Sequence, residues 1–218
     1  MHIWIRRGLW ALPVWGLLTL LATLTHQPDP TTEFGAFARY VSTDRFLVSH
    51  LIGSIFGTAV GILGLAALAA YLADTPVRGR ALLALVLSVI GVTLTASVFG
   101  AAAFAQPAVG EAQLAGQANA KQIYEAIYDT PLFVTAGLGV LLYSAGSIVF
   151  GLALWRVRTL PRWTGVFIGL SGPLIGIVGL SLGAAQTVGS TLLTVAGVAI
   201  AWTALRRLSL RTAPVPAL

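Results

Sequence analysis

A chain of 218 residues that is 57% apolar and 9% charged, with a mean hydropathy of +0.88, has too little polar surface to clothe a water-soluble domain. The net charge of +6 does not point to nucleic acid, because the cations are divided among short connecting segments instead of gathering on one face. With no cysteine, the chain has no disulfide, no thiolate metal site and no redox pair.

A bilayer core of about 30 Å takes roughly 20 apolar residues per helix, since every amide must be bonded inside its own helix. Six runs meet that measure: residues 9–25, 46–72, 81–105, 132–155, 163–182 and 187–205. They are continuous, where barrel strands would alternate. The expected fold is therefore all-α: one integral membrane domain over residues 1–218, a bundle of six transmembrane helices with a small external helical cap.

The first run follows Arg6 and Arg7 as a signal peptide would. However, Ala22, Thr23, Leu24 and Thr25 offer no small-x-small cleavage site before His26, so it is expected to stay attached, kinked at Pro13. In residues 26–45, Pro28, Asp29 and Pro30 make a turn, and Thr31 or Thr32 is expected to cap a short helix bearing Phe34, Phe37 and Val41. The second run carries Gly53, Gly57 and Gly61 on one face, which lets another helix backbone approach closely. The short turn that follows contains Pro76 and Gly79 and makes the second and third runs antiparallel neighbours. In residues 106–129 an amphipathic helix is expected from about Glu111, carrying Leu114, Ile123, Tyr124, Ile127 and Tyr128. Asp129 or Thr130 caps the fourth run, with Pro131 in its first turn. The two long connections together form the cap, which in its sharper form is a lid over a ligand cavity. In the fifth run Gly165, Gly169, Gly172 and Gly176 repeat the small-residue face. With Pro173, they alternatively let that helix break and line a site, as discontinuous helices do in transporters.

Charge orients the bundle. Ten of the thirteen cations flank alternate connections: Arg6, Arg7, Arg78, Arg80, Arg156, Arg158, Arg162, Arg206, Arg207 and Arg211. The other side holds Arg39, Arg45 and Lys121 with six of the seven acids. Both termini are thus expected to be cytoplasmic. Twelve arginines against one lysine, in an Ala- and Gly-rich chain, favour a GC-rich bacterial genome and a bacterial plasma membrane.

Residues 169–176 read G-L-S-G-P-L-I-G and resemble the G-x-S-G-x-x-x-G around the nucleophile of rhomboid intramembrane proteases, which also have six spans. The resemblance implies Ser171 as nucleophile, activated by a histidine on the last core helix. That helix has no histidine here, and Ser171 lies on a helix leaving from the arginine side, the reverse of the rhomboid arrangement. No catalytic residue is expected. A second resemblance lies in Leu154, Trp155, Arg156, Leu160, Pro161, Arg162, Trp163 and Gly165, a phrase similar to one found in uncharacterised small multipass membrane proteins of bacteria. It implies the six-span layout and no activity.

Three functional readings follow. The leading one is a non-enzymatic component whose partner, besides the lipid bilayer, is a membrane protein subunit or a second copy, met through the glycine faces. Next is a transporter or channel for a neutral or apolar molecule, since no Asp, Glu, Lys or Arg sits inside a run, except at the margins, as proton-coupled pumps typically require. Its candidate lining is Thr58, Thr93, Thr95, Ser97, Tyr143, Ser144 and Ser147. Third is a haem or metal site at the outer end, from His26 and His50 with Glu111, Glu125 and Asp129. The leading reading takes no cofactor.

Overall fold

The computed structural model describes residues 3–24 and 27–209. His26 and Arg211 lie outside them. Among the described residues the regular structure is helical throughout, with no strand, and we number nine helices. They are α1 Ile3–Gly8, α2 Ala11–Thr23, α3 Phe34–Val41, α4 Asp44–Leu72, α5 Arg78–Leu114, α6 Ala120–Ile127, α7 Thr130–Arg156, α8 Arg162–Val178 and α9 Gly183–Ser209.

Four of these, α4, α5, α7 and α9, are long and apolar enough to cross a membrane. The first and fifth expected spans correspond to shorter helices, and a proline accounts for each. Pro13 has no N–H to give to Leu9; upstream of it the chain closes tighter turns, Trp10 N–H to Arg7 O at 3.1 Å and Leu12 N–H to Leu9 O at 3.2 Å, which part α1 from α2. Pro173 likewise gives no hydrogen bond to Gly169, and the five residues after it, Leu174–Val178, widen into a π-helical turn where α8 ends.

The expected second amphipathic helix is divided. α5 runs past residue 105 through Pro107 to Leu114, and α6 starts only at Ala120. The break is at Gly116, whose φ of 76° suits a residue without Cβ. Gln117 N–H bonds Ala112 O and Gly116 N–H bonds Gln113 O, both at 3.0 Å, the paired bonds of a Schellman stop. Nor do Thr31 and Thr32 cap α3. Thr31 turns its amide and hydroxyl to Asp29 Oδ1 at 2.8 and 2.7 Å, and α3 opens after Glu33 with no side-chain cap. Thr43 caps α4 by accepting from Phe46 N–H, and Asp129 caps α7 at Thr130 N–H with Pro131 in the first turn.

α7 packs between α5 and α8, α9 covers α2 and α8, and α2 leans on α4. The two arginine-bearing turns meet at one end, where Tyr71 donates to Thr159 at 3.4 Å and Arg6 donates to Leu205 O at 3.3 Å. At the opposite end α3 lies on the extension of α5 at Gly110, where a Cβ would meet Ala38 O at 2.8 Å. Phe37, Val41 and Phe46 are fully buried there, and Tyr124 of α6 sets its ring against Phe37 at 5.2 Å.

Candidate functional site

Toward the end away from the arginine turns, the helices line a partly open cavity of about 310 Å³. Its floor is Trp15 of α2 and Tyr143 of α7, nearly buried, with ring centroids 5.6 Å apart. Gly61 makes room for that floor: a Cβ there would fall 2.5 Å from the Trp15 ring. Higher up, α2 contributes Thr19 and Thr23, α5 Val92, Thr95 and Phe99, and α7 Val140. Gln27, Tyr40 and Gln186 stand at the far end. Among the described residues no Asp, Glu, Lys or Arg lines it.

The rest of the wall comes from the two stretches where helix geometry departs from α. Residues Ser49–Phe56 of α4 form π-helical turns and supply Ser49, His50, Gly53 and Ser54; the π-helical turn of α8 supplies Ile175 and Gly176. A π turn widens the helix and weakens its regular packing, which is why such turns recur at functional sites. In α8 the proline announces it. In α4 no proline does, and we find no sequence signal that would have revealed the wide turn.

His50 is half-buried. Its ring lies 4.1 Å from that of Phe46 and its Nδ1 is 3.0 Å from Phe46 O, one turn earlier. Gln27 connects the cavity to the aromatic end: its amide donates to Gln106 Oε1 at 3.4 Å, and Gln106 donates in turn to the Tyr128 hydroxyl, whose ring stacks on Tyr124 at 4.5 Å. Burial raises the Tyr128 phenol far above its ordinary range, against the Gln106 hydrogen bond and with the help of Tyr124. Tyr124 is raised by burial and then by the charge of Asp29. Asp29 itself is held below the usual carboxylate range by its hydrogen bonds from Thr31.

Of the hydroxyl residues proposed from sequence, Thr58, Thr95 and Tyr143 reach the cavity, while Thr93, Ser97, Ser144 and Ser147 are not part of its wall. Ser171 is buried and donates to Ile168 O at 2.8 Å. The glycines fall into two groups. Gly53 and Gly61 meet α2, through Ala22 and Trp15, while Gly57 makes only ordinary contact with Leu18 at 3.5 Å. On α8, Gly165 faces the backbone of Gly151 and Trp155, Gly172 faces Ser147 and Gly176 faces Val140, whereas Gly169 lies at an ordinary 3.7 Å from Gly151. The polar residues proposed as a metal site are not assembled: Glu111 is exposed, Glu125 pairs with Lys121 at 4.0 Å, Asp129 caps α7 and His50 faces the cavity. Among the described residues no three histidine or carboxylate side chains come together. His26 lies outside the described residues. No protein-family profile, no curated protein and no solved structure matches the chain.

Proposed function

We propose that the chain is an integral membrane protein of six membrane-crossing segments that binds a neutral, largely apolar small molecule in the cavity above Trp15 and Tyr143, as a carrier or receptor. In this reading α2 and α8 are the two short crossings, completed by the turns beside them. The arginine turns lie at the cytoplasmic face of a bacterial plasma membrane, and α3 with α6 forms the external cap. Support for the frame comes from the exposed Trp155, Trp163 and Trp202 near the arginine end, with Arg162 and Arg206 over the Trp155 and Trp202 rings at 5.9 and 4.7 Å, a head-group arrangement.

The observation that carries the binding reading is the cavity itself: two independent helix irregularities converge on one uncharged hollow in the half of the bundle that would face outward. The partner-subunit reading draws less support, because the glycines that would make its contact surface are occupied within the chain, Gly53 and Gly61 on α2 and Gly165, Gly172 and Gly176 on α7. Native mass spectrometry of the protein released from nanodiscs tests the proposal. A retained neutral adduct is expected, lost when Thr19→Phe fills the cavity; a wild-type chain that never carries an adduct, in native membranes or after incubation with their lipid extract, would sink it.

A further inference from the structure

The cavity has a hydrogen-bonding character that its residue list alone conceals. A hydroxyl has one proton and two lone pairs, and here the protons are already given away to the backbone. Thr19 donates to Trp15 O at 3.0 Å, Ser49 to Phe46 O at 2.9 Å, Thr58 to Ser54 O at 2.7 Å and Thr95 to Gly91 O at 2.9 Å. The Gln27 and Gln186 amides donate to Gln106 Oε1 and to Gly179 O. What the hydroxyls keep is acceptor capacity, while each amide keeps its carbonyl oxygen and one N–H.

His50 belongs to the same set. The Phe46 carbonyl 3.0 Å from Nδ1 can only accept, so Nδ1 carries the ring proton and Nε2 of the neutral imidazole offers a lone pair. Among the described residues no group bonds Nε2. The donors that remain are the Trp15 indole N–H on the floor, Ser54, and at the far end the Tyr40 hydroxyl and the second N–H of each glutamine amide, none of which meets the Nε2 lone pair in the hydrogen bonds of the wall. A ligand that only accepts, such as an ether or ketone, leaves the lone pairs of His50 and the threonines without a partner, and a buried polar group without a partner costs about 1–3 kcal/mol. Beside His50 an anion would face those lone pairs, and a cation would find no carboxylate among the described residues of the wall.

We infer that the cavity selects a neutral molecule bearing a hydroxyl group, an alcohol or phenol on an apolar frame, which donates its proton to Nε2 of His50. The inference rests on the binding reading above and adds the chemical class to it. The apolar part would lie against Trp15, Tyr143 and Phe99.

A matched pair of probes isolates the hydroxyl proton: 2-naphthol, and 2-methoxynaphthalene, in which a methyl group replaces it. With the purified protein in nanodiscs near pH 7, binding of each is measured by equilibrium dialysis against empty nanodiscs. The naphthol is expected to bind about tenfold more tightly than its methyl ether. In His50→Phe, which keeps a ring against Phe46 but removes the acceptor, the two should bind alike, and His50→Gln, which restores an acceptor, should recover part of the preference. Thr95→Val, which takes one acceptor from the opposite wall, gives the same comparison if the His50 variants do not fold; a reduced preference is expected. Equal binding of both probes to the wild type would overturn this inference and leave the binding reading standing. A preference undiminished in His50→Phe, or in Thr95→Val where that variant serves, overturns it as well. Absence of binding by either probe would count against the binding reading itself, and this inference falls with it.

Discussion

The seam between α7 and α8 and the hollow between α2, α4 and α5 are both built on glycine, yet one is closed and the other open. Along the seam the glycines of the two helices face each other: a Cβ on Gly151 would sit 2.5 Å from Gly165 O, and one on Gly165 would sit 2.6 Å from Gly151 O. Backbone touches backbone with nothing between. On α4 the two glycines that line or floor the hollow meet side chains first, the Ala22 methyl at Gly53 and the Trp15 ring at Gly61, while Gly64, nearer the arginine end, meets the Leu12 backbone; the π-helical stretch opens the helix at Gly53. In lipid, apolar burial alone gives helices little reason to associate, so close contact has to supply the attraction. The seam has that contact at full strength. The hollow gives some of it up, and its function is the reason we assign to that sacrifice.

The most direct way to break the contrast is to put a side chain into the seam. Gly165→Leu meets backbone atoms that cannot turn aside, so the loss should exceed the roughly 1–3 kcal/mol of an ordinary overpacked core. Little monodisperse protein should survive size exclusion in detergent. Gly137→Ala on the same α7, where a Cβ would meet nothing within 4 Å, serves as the control and should keep or slightly raise the melting temperature. If both variants behave alike, close backbone contact is not what holds α8.

On the open side, Gly61→Val drives the Trp15 ring from its place, with a cost on the order of 1–3 kcal/mol because a side chain can move where a backbone cannot. The expected signature is a protein that still folds but loses its adduct in native mass spectrometry. A variant that melts like the wild type and keeps its adduct would show that Gly61 does not set the cavity floor.

How far such contrasts could be read in advance depended on whether a residue's effect is local. The apolar runs, the turn residues and the Asp129, Thr130, Pro131 start of α7 act within a few positions and were legible. Pro13 and Pro173 are plain in the sequence, but their consequence, two short helices in place of two full-length ones, depends on how the neighbouring turns regroup. The extent of α5 was missed because Leu114 and the residues before it fit an amphipathic helix as well as they fit the end of a long one; Gly116, adopting φ of 76°, decides where the chain stops. Least legible was the cavity. Thr58, Thr95, Tyr143 and His50 lie far apart in the chain, and the π-helical stretch that brings Ser49, His50, Gly53 and Ser54 to one wall has no counterpart in their residue types.

The aromatic end gives a pH test of the network that joins it to the hollow. Tyr124 and Tyr128 are held neutral in the folded chain by burial, so it keeps protons that the unfolded chain releases near pH 10. Their contribution is complete below that pH and declines as pH rises above it. Ultraviolet titration of tyrosinate should show late-ionising phenols, Tyr124 and Tyr128 among them, that move toward the ordinary range on unfolding. Tyr128→Phe, which leaves the Gln106 amide without its acceptor, should remove one of them and cost about 1–2 kcal/mol. A wild type whose exposed-end tyrosines all ionise near pH 10 would contradict the burial of this pair.

The smallest expected effect sharpens the same comparison from the surface. Lys121 and Glu125 stand one turn apart on α6, 4.0 Å from each other and both exposed, so Lys121→Ala should change stability by no more than about 0.2–0.5 kcal/mol, and less in high salt. Tyr124, on the same helix, puts its ring against Phe34 at 6.0 Å and Phe37 at 5.2 Å, and Tyr124→Ala should cost several times more. The ratio matters beyond α6. If ring contacts hold this helix and the charge pair does not, then α3 and α6 are joined by the same kind of direct contact that closes the α7–α8 seam, made with aromatic rings where the seam uses bare backbone. A charge pair that proved the stronger would place α6 under the control of ionic strength and detach it from the packing logic of the rest of the bundle.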